Sequence, residues 1–309
     1  LHLPEPVPVV VARSGADAGE VDRAKKRIDD RLRARRNTRI RPGLDDKVVT
    51  AWNGLALRAF AEAGAVLSDE RYLAVADGIA RFLTETAMPD DRLLRSWRGG
   101  RCGPDAFCDD FGAAALGLFA LYQATGEQRW FDVAERLVHD MVERFEDPAG
   151  GFFATASDGE VLIARPKNTH DNPTPSDNAL AAEALATLAA FTADSGSSAR
   201  LERTVQAIGP SLSTHPWAHG SLLGVWLANP MREVAVLGDA DARRPFLDVV
   251  WERFRPDAVV AQGDGSGAMI PLLAGRDPGD TGRAYVCRGF VCELPAESPD
   301  ALRAQLDTV

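Results

Sequence analysis

Three stretches of this chain are almost free of charge over a full helix length. Each opens on a small polar cluster and leads into an amphipathic segment. The clusters are Trp52-Asn53-Gly54, Asp109-Asp110-Phe111 and Ser176-Asp177-Asn178. Gly54 and Gly112 lie 58 residues apart, as do Tyr72 and Trp130 in the segments that follow, and the step from Gly112 to Asn178 is 66. Phe111 to Gly126 has no charged residue, Gly54 to Val66 has only Arg58 and Glu62, and Asn178 to Phe191 has only Glu183. A helix that is apolar round its whole circumference is buried on all sides. The partner segments show a single stripe instead, Trp130, Val133, Leu137, Met141 and Phe145 in one and Leu201, Val205, Ile208 and Leu212 in another, with the charges elsewhere on the wheel. Buried inner helices wrapped by amphipathic outer ones make a repeat of helical hairpins, at about 47–87, 109–146 and 176–214. The fold this predicts is mainly α, an α/α toroid; a plain bundle or solenoid is the alternative that such a repeat allows.

A chain of 309 residues, 45% of them hydrophobic, can bury a large core. Its net charge of −10 argues against a general affinity for nucleic acid or for anionic membranes. No apolar run approaches the ~20 residues needed to span a bilayer, and no basic start followed by a hydrophobic segment suggests a secretion signal. The expected location is therefore cytoplasmic. The four cysteines, Cys102, Cys108, Cys287 and Cys292, have neither the spacing of a redox CxxC nor that of a zinc knuckle. They read as free thiols, with a Cys287–Cys292 disulfide as the alternative, and no metal or cofactor is expected.

Between Glu20 and Arg41 the chain is dense in arginine and lysine, but Val21, Ala24, Ile28 and Leu32 form an apolar stripe and no aromatic residue interleaves the charges. A solvated outer helix ended by Pro42-Gly43 accounts for this segment. Gly150-Gly151-Phe152-Phe153 and Val161-Leu162-Ile163 flank Ser157-Asp158-Gly159 and predict a β-hairpin with an Asp-Gly turn. Trp217 to Leu227 reads as a further inner helix. Beyond it the pattern changes to strand (233–238), helix (243–254), strand (258–261) and a last strand within 284–292. Gly263, Gly265 and Gly267 match neither phosphate-binding glycine pattern and read as a plain loop. The expected division is a helical-hairpin toroid portion over 1–230 and a small α/β segment over 231–309 packed on it.

Several spaced motifs carry a family resemblance. Asp45-Asp46-Lys47-Val48-Val49-Thr50-Ala51-Trp52-Asn53-Gly54-Leu55, Asp109-Asp110-Phe111, Gly150-Gly151-Phe152-Phe153, Arg165-Pro166-Lys167, Asp171, Pro175-Ser176-Asp177-Asn178, Tyr285-Val286-Cys287 and Cys292-Glu293-Leu294-Pro295 occur in that order. In this the chain resembles the thioredoxin-domain proteins similar to spermatogenesis-associated protein 20. The resemblance covers essentially the whole chain. It implies a six-hairpin glycosidase-like helical region, similar to that of N-acylglucosamine 2-epimerases, following a thioredoxin-like domain. Three hairpins and flanking single helices are too few to close a six-hairpin ring. The chain is therefore read as an incomplete ring without that upstream domain and without the first hairpins. It departs from the family pattern at Asp177, where the family has glycine, at Phe111, where it has tyrosine, and at Asn172.

If the three inner helices run the same way, their polar starts meet at one mouth of the ring. Carboxylates, amides and aromatic faces are what a sugar site needs, and a glycosidase needs two carboxylates ~5–9.5 Å apart with different protonation. Asp109 and Asp110 point about 100° apart on a helix. Asp110 paired with Asp171 or Asp177 is the expected catalytic set. Trp52, Asn53, Asp109, Phe111, Arg165, Lys167, His170, Ser176 and Asn178 are the expected substrate-binding residues. The competing reading is that Asp, Ser and Asn cap helix starts whatever the function. The predicted function is a carbohydrate-active domain, hydrolase or isomerase, acting on a small carbohydrate. Its rival is a non-catalytic carbohydrate-binding or scaffold module serving a redox domain upstream.

Overall fold

The computed structural model describes residues 5–160, 163–265 and 270–307. The chain divides into two compact units, Leu1–Asp46 and Lys47–Val309. In the first, α1 (Val7–Ser14) ends at Gly15 in the left-handed conformation and packs on α2 (Ala18–Asn37), whose first turn is capped by the Asp17 carboxylate. Ile28 and Leu32 of the apolar stripe stay exposed.

The second unit begins with a two-residue strand, β1 (Val48–Val49), and then three hairpins. The inner helices are α3 (Thr50–Leu67), α5 (Cys108–Thr125) and α7 (Asp177–Thr192); the outer ones are α4 (Glu70–Arg81), α6 (Gln128–Phe145) and α8 (Ser195–Thr214). Each inner helix packs on the next and on its own outer partner. A single inner helix, α9 (Gly220–Ala228), follows and packs on α7. The result is an arc of an α/α toroid.

Glycine sets the distance between the first two inner helices. A Cβ on Gly54 would lie 2.5 Å from the Ala113 carbonyl oxygen, and one on Gly117 would lie 2.6 Å from the Gly54 carbonyl. A Cβ on Gly112 would in turn meet Leu180 of α7 at 2.9 Å. First turns therefore lie against first turns, so the three helices run in one direction.

The expectation of all-round burial holds for α5 and α7, which are buried along almost their full length. It fails for α3 and α9. The residues buried in α3, Thr50, Ala51, Gly54, Leu57, Ala61 and Gly64, trace one stripe, and in α9 they are Leu222 and Val225. A helix at the end of an arc has an inner neighbour on one side only.

Two small sheets accompany the helices. Strands β2 (Ser96–Arg98) and β3 (Arg101–Cys102) join β1 in an antiparallel sheet beside the start of α3. The second sheet has the order β5-β4-β6-β7, from β4 (Arg232–Leu237), β5 (Ala258–Gly263), β6 (Arg283–Arg288) and β7 (Val291–Cys292). A crossover helix, α10 (Ala240–Trp251), joins β4 to β5 in parallel, and α11 (Pro299–Leu306) closes the chain. The strand–helix–strand reading of this region matches. Its sheet lies in the same compact unit as the hairpins, packing on α5 and α7: Gln123 of α5 accepts from the Val260 amide at 2.9 Å, and the Leu272 amide donates to Phe191 of α7 at 3.0 Å.

The β-hairpin expected around Asp158-Gly159 does not form among the described residues. Phe152 makes one isolated antiparallel bridge to Glu146, and residues 161–162 of the other flank lie outside the described residues. Gly267 of the glycine loop also lies outside them. Cys287 and Cys292 face each other across β6 and β7 and form a disulfide; Cys102 and Cys108 are free. No helix among the described residues is long and apolar enough to cross a membrane.

Candidate functional site

The polar starts of α3, α5 and α7 do gather at one end of the arc, but most of the polar side chains there bind the protein itself. Asp110 is wholly buried in the first turn of α5. One carboxylate oxygen accepts from the Ala51 amide of α3 at 2.8 Å; the other accepts from the Phe107 amide and from Arg95 Nη1, both at 2.9 Å. The Phe107 contact is the acidic half of a capping box. With three donors on two oxygens and no exposed surface, Asp110 is committed to the protein's own groups, which favours the capping and clamping reading over its expected catalytic role. Burial and then the neighbouring Asp109 push its pKa up to about 7, against the opposing pull of Arg95 and the Phe107 amide.

Asp171 is likewise a structural clamp. One oxygen accepts from the Ser176 amide at 2.9 Å, at the start of α7; the other accepts from the Ser221 amide at 2.8 Å, in the first turn of α9. Ser176 caps α7 through its hydroxyl, which accepts from the Ala179 amide at 3.3 Å. Asn178, fully buried, accepts from the Phe152 amide at 2.7 Å and donates to the Phe152 and Asn168 carbonyls at 3.0 and 2.9 Å. Gly151 stands at φ +78°, and a Cβ there would lie 2.7 Å from Asn178 Oδ1, so this turn requires glycine.

Lys167 reaches the Gly150 carbonyl at 2.6 Å and Asp147 at 2.7 Å. Arg165 donates to the Thr155 carbonyl at 2.6 Å and lies over the Phe153 ring. The Gly-Gly-Phe-Phe, Arg-Pro-Lys and Ser-Asp-Asn motifs are therefore one framework that holds the start of α7. Phe111 is 1% exposed and packs on Phe145, so it belongs to the core and offers no stacking face. His170 is exposed and contacts Ser211 at 3.3 Å. Ser211 in turn meets His219 at 2.9 Å, and His170 bonds to none of the mouth carboxylates.

Four of the expected site residues remain available. Trp52 is 63% exposed at the start of α3, and the half-buried Asn53 donates to the Val49 carbonyl at 2.9 Å. Asp109 is ion-paired with Arg95 at 2.5 Å. Asp177, in the first turn of α7, accepts from Asn168 Nδ2 at 2.9 Å. Burial, and after it the nearby Asp109, raise the Asp177 pKa to about 6. The buried Cys108 thiol is pushed up by burial and by Asp177, Asp109 and Asp110, which places these three aspartates around it. Arg95 had no signal of its own in the sequence, since it lies between motifs and is recruited by the β1–β2 pairing. No group of three or more His, Cys, Asp or Glu side chains that could hold a metal ion occurs among the described residues.

A second polar group lies deeper in the arc. Arg58 Nε bonds Glu62 at 2.8 Å, and its Nη1 reaches Glu183 of α7 at 2.7 Å. Beyond the first turns, these three are the lone charges of the inner helices α3, α5 and α7. They line a cavity of about 140 Å³ between the arc and the end of α10. Their isolation in apolar stretches was visible in the sequence; their convergence was not.

Parallel inner helices with acids, amides and an exposed indole at their starts define a helical-hairpin domain of α/α toroid type. No family model matches the chain. It is 28% identical to human spermatogenesis-associated protein 20 over 96% of its own length and 41% of the human protein's. It is also 28% identical to the mouse protein, over 90% of its length and 38% of the mouse protein's. The chain is thus similar to spermatogenesis-associated protein 20 over most of its own length and spans about two fifths of the length of these relatives. Among solved structures, cellobiose 2-epimerase from Spirochaeta thermophila overlaps with a TM-score of 0.43 at 16% identity, over 52% of this chain and 43% of that one. A glycoside hydrolase family 76 mannosidase from Bacteroides thetaiotaomicron gives 0.41 at 15% identity, over 55% and 45%.

Proposed function

We propose that the mouth is a carbohydrate site of glycoside hydrolase or sugar isomerase type, with Asp177 as the proton donor and Asp109 as the partner carboxylate. The observation that carries this is the unequal environment of the two acids. Asp177 is almost buried and titrates at about 6, whereas Asp109 is held in an ion pair by Arg95. A nearly buried carboxyl with a raised pKa beside an ion-paired carboxylate can divide the roles of acid and of base or nucleophile. Trp52 supplies an exposed aromatic face, and Asn53 and Asn168 supply amides.

Asp177→Asn tests the assignment. The amide oxygen still accepts from Asn168, but the proton donor is gone. Hydrolysis or isomerisation of a responsive sugar should fall by ~10²-fold or more, and the loss of rate above pH about 6 expected of the parent should be absent from the residual activity. Stability moves the other way. A carboxyl raised from 3.8 to about 6 on folding gives a stabilising contribution that is complete below the unfolded value and lost as pH rises through 6. At pH 7.5 the parent therefore lacks about 3 kcal/mol that its protonated form enjoys, and the neutral Asn variant should melt no lower than the parent.

The inward bonding of Asp110 and Asp171 favours a second reading, a non-catalytic carbohydrate-binding or scaffold module that serves a redox domain upstream. On that reading Asp177→Asn alters melting and pH dependence while no sugar is turned over by either protein.

A further inference from the structure

The cavity beneath Arg58 is built as a binding site, and it is separate from the mouth. Its floor is the inward face of α5, at Leu116, Ala120 and Gln123, 7 to 14 residues beyond Asp109. At 1.5 Å per residue that is roughly 10–20 Å along the helix. α3 and α7 flank α5, so Arg58 and Glu183 can pair only across this floor, and they do so at 2.7 Å. The far wall is the end of α10 and the turn after it, with Trp251, Arg253, Phe254 and Arg255.

Structure alone does not call for three charges here. A partly buried ion-pair group can be replaced by apolar residues of similar size at little or no cost in stability, and apart from Gln123 and Thr187 the inner-helix positions that line the cavity beside it are apolar. The group is also incompletely matched. Arg58 spends Nε and Nη1 on the glutamates, and each glutamate accepts through one oxygen, Oε1. Arg58 Nη2, Glu62 Oε2 and Glu183 Oε2 have no bond among the described residues. One donor and two acceptors thus border a cavity whose floor is aliphatic at Leu116 and Ala120 and polar at Gln123, and whose far wall includes an indole.

The charges choose between ligand classes. Arg253 and Arg255 on the far wall share Asp307 at 3.0 and 3.6 Å. Three arginines and three carboxylates then border the site or its rim, so the lining is close to neutral. An anion meets Glu62 and Glu183, and a cation meets Arg58 between them. Hydroxyl groups both donate and accept, and the C–H face of a ring suits Leu116, Ala120 and Trp251. About 140 Å³ holds one small ring and leaves no room for a chain of several.

We propose that this cavity binds a single neutral polyol of monosaccharide size, with its hydroxyls on Arg58, Glu62 and Glu183 and its apolar face on α5. The site does not depend on chemistry at the mouth, and it remains if Asp177 proves to have no catalytic role.

The test uses the full chain with glucose, mannose and myo-inositol as neutral probes and tetramethylammonium and inorganic phosphate as charged ones. Saturation-transfer NMR should show at least one neutral probe bound, and that probe should raise the melting temperature with dose, as a ligand of the folded state does. Glu183→Gln and the cavity-filling Ala120→Leu should each weaken binding by tenfold or more, while Asp177→Asn leaves it unchanged. If Ala120→Leu does not fold, Glu183→Gln alone decides. Three results would overturn the proposal: no neutral probe binds, a charged probe binds instead, or binding is lost with Asp177→Asn and kept with Glu183→Gln.

Discussion

Asp110→Asn should lower the stability of this domain by about 3 kcal/mol, the usual cost of breaking a buried, hydrogen-bonded ion pair. Asn and Asp are nearly equal as helix caps, so a carboxylate that acted only as a cap or as a catalyst would tolerate the change. Asp110 does more. Its two oxygens receive the Ala51 amide, the Phe107 amide and Arg95, so they join α3, α5 and the β1–β2 sheet. The amide of an Asn points an N–H at a donor whichever way it is turned. At least one buried group then lacks a partner, and Arg95 loses one of its two carboxylates. In a domain of this size the change is worth roughly 6–12 °C in melting temperature. Urea or thermal unfolding by circular dichroism measures it. A loss below 1 kcal/mol, with activity abolished, would return Asp110 to a catalytic role.

Gly54→Ala should cost about 2 kcal/mol or more, although alanine is the better helix former by about 1 kcal/mol. The added methyl would lie 2.5 Å from the Ala113 carbonyl oxygen and 2.6 Å from the Ala114 amide nitrogen. These are backbone atoms of α5 and cannot swing aside, so the two helices must separate. Overpacking of this kind typically costs 1–3 kcal/mol or more. Gly78→Ala on α4 is the control, because a methyl there meets nothing within 4 Å and should stabilise the protein by up to about 1 kcal/mol. Equal effects at the two positions would show that the α3–α5 approach is not set by glycine.

Much of the architecture could be read from the chain before folding because it rests on periodicity. The charge-free runs at Phe111–Gly126 and Asn178–Phe191 became α5 and α7, and the Trp130–Phe145 stripe became the buried face of α6. The change to strand and helix after Met231 was also legible, since β4 is apolar from Val234 to Leu237 and buried at every position. The strand expected at Gly150–Phe153, one flank of an Asp158-Gly159 hairpin, does not form among the described residues: its glycines serve positive φ angles and a close approach to Asn178.

The polar residues divide on the same principle. A carboxylate at a helix start is compatible with capping, with clamping and with catalysis, and the sequence is the same in all three. Which one it becomes depends on the donors that the rest of the fold brings to it. Asp110 meets two amides and an arginine and becomes a hub. Asp171 meets the amides of two helices and becomes a clamp. Asp177 meets one exposed amide and a neighbouring carboxylate, and keeps a titratable proton.

The sequence by itself determined that helical hairpins repeat, that the inner members α5 and α7 are buried, and that a small α/β segment follows. Those properties come from residue spacing along one chain, where 3.6-residue periodicity is already complete. Only the tertiary structure decided that Arg95 joins the mouth, that Cys287 and Cys292 pair, and that Arg58, Glu62 and Glu183 meet around one cavity. Each of these depends on contacts between residues distant in sequence, and no local pattern encodes the distance at which two helices come to rest.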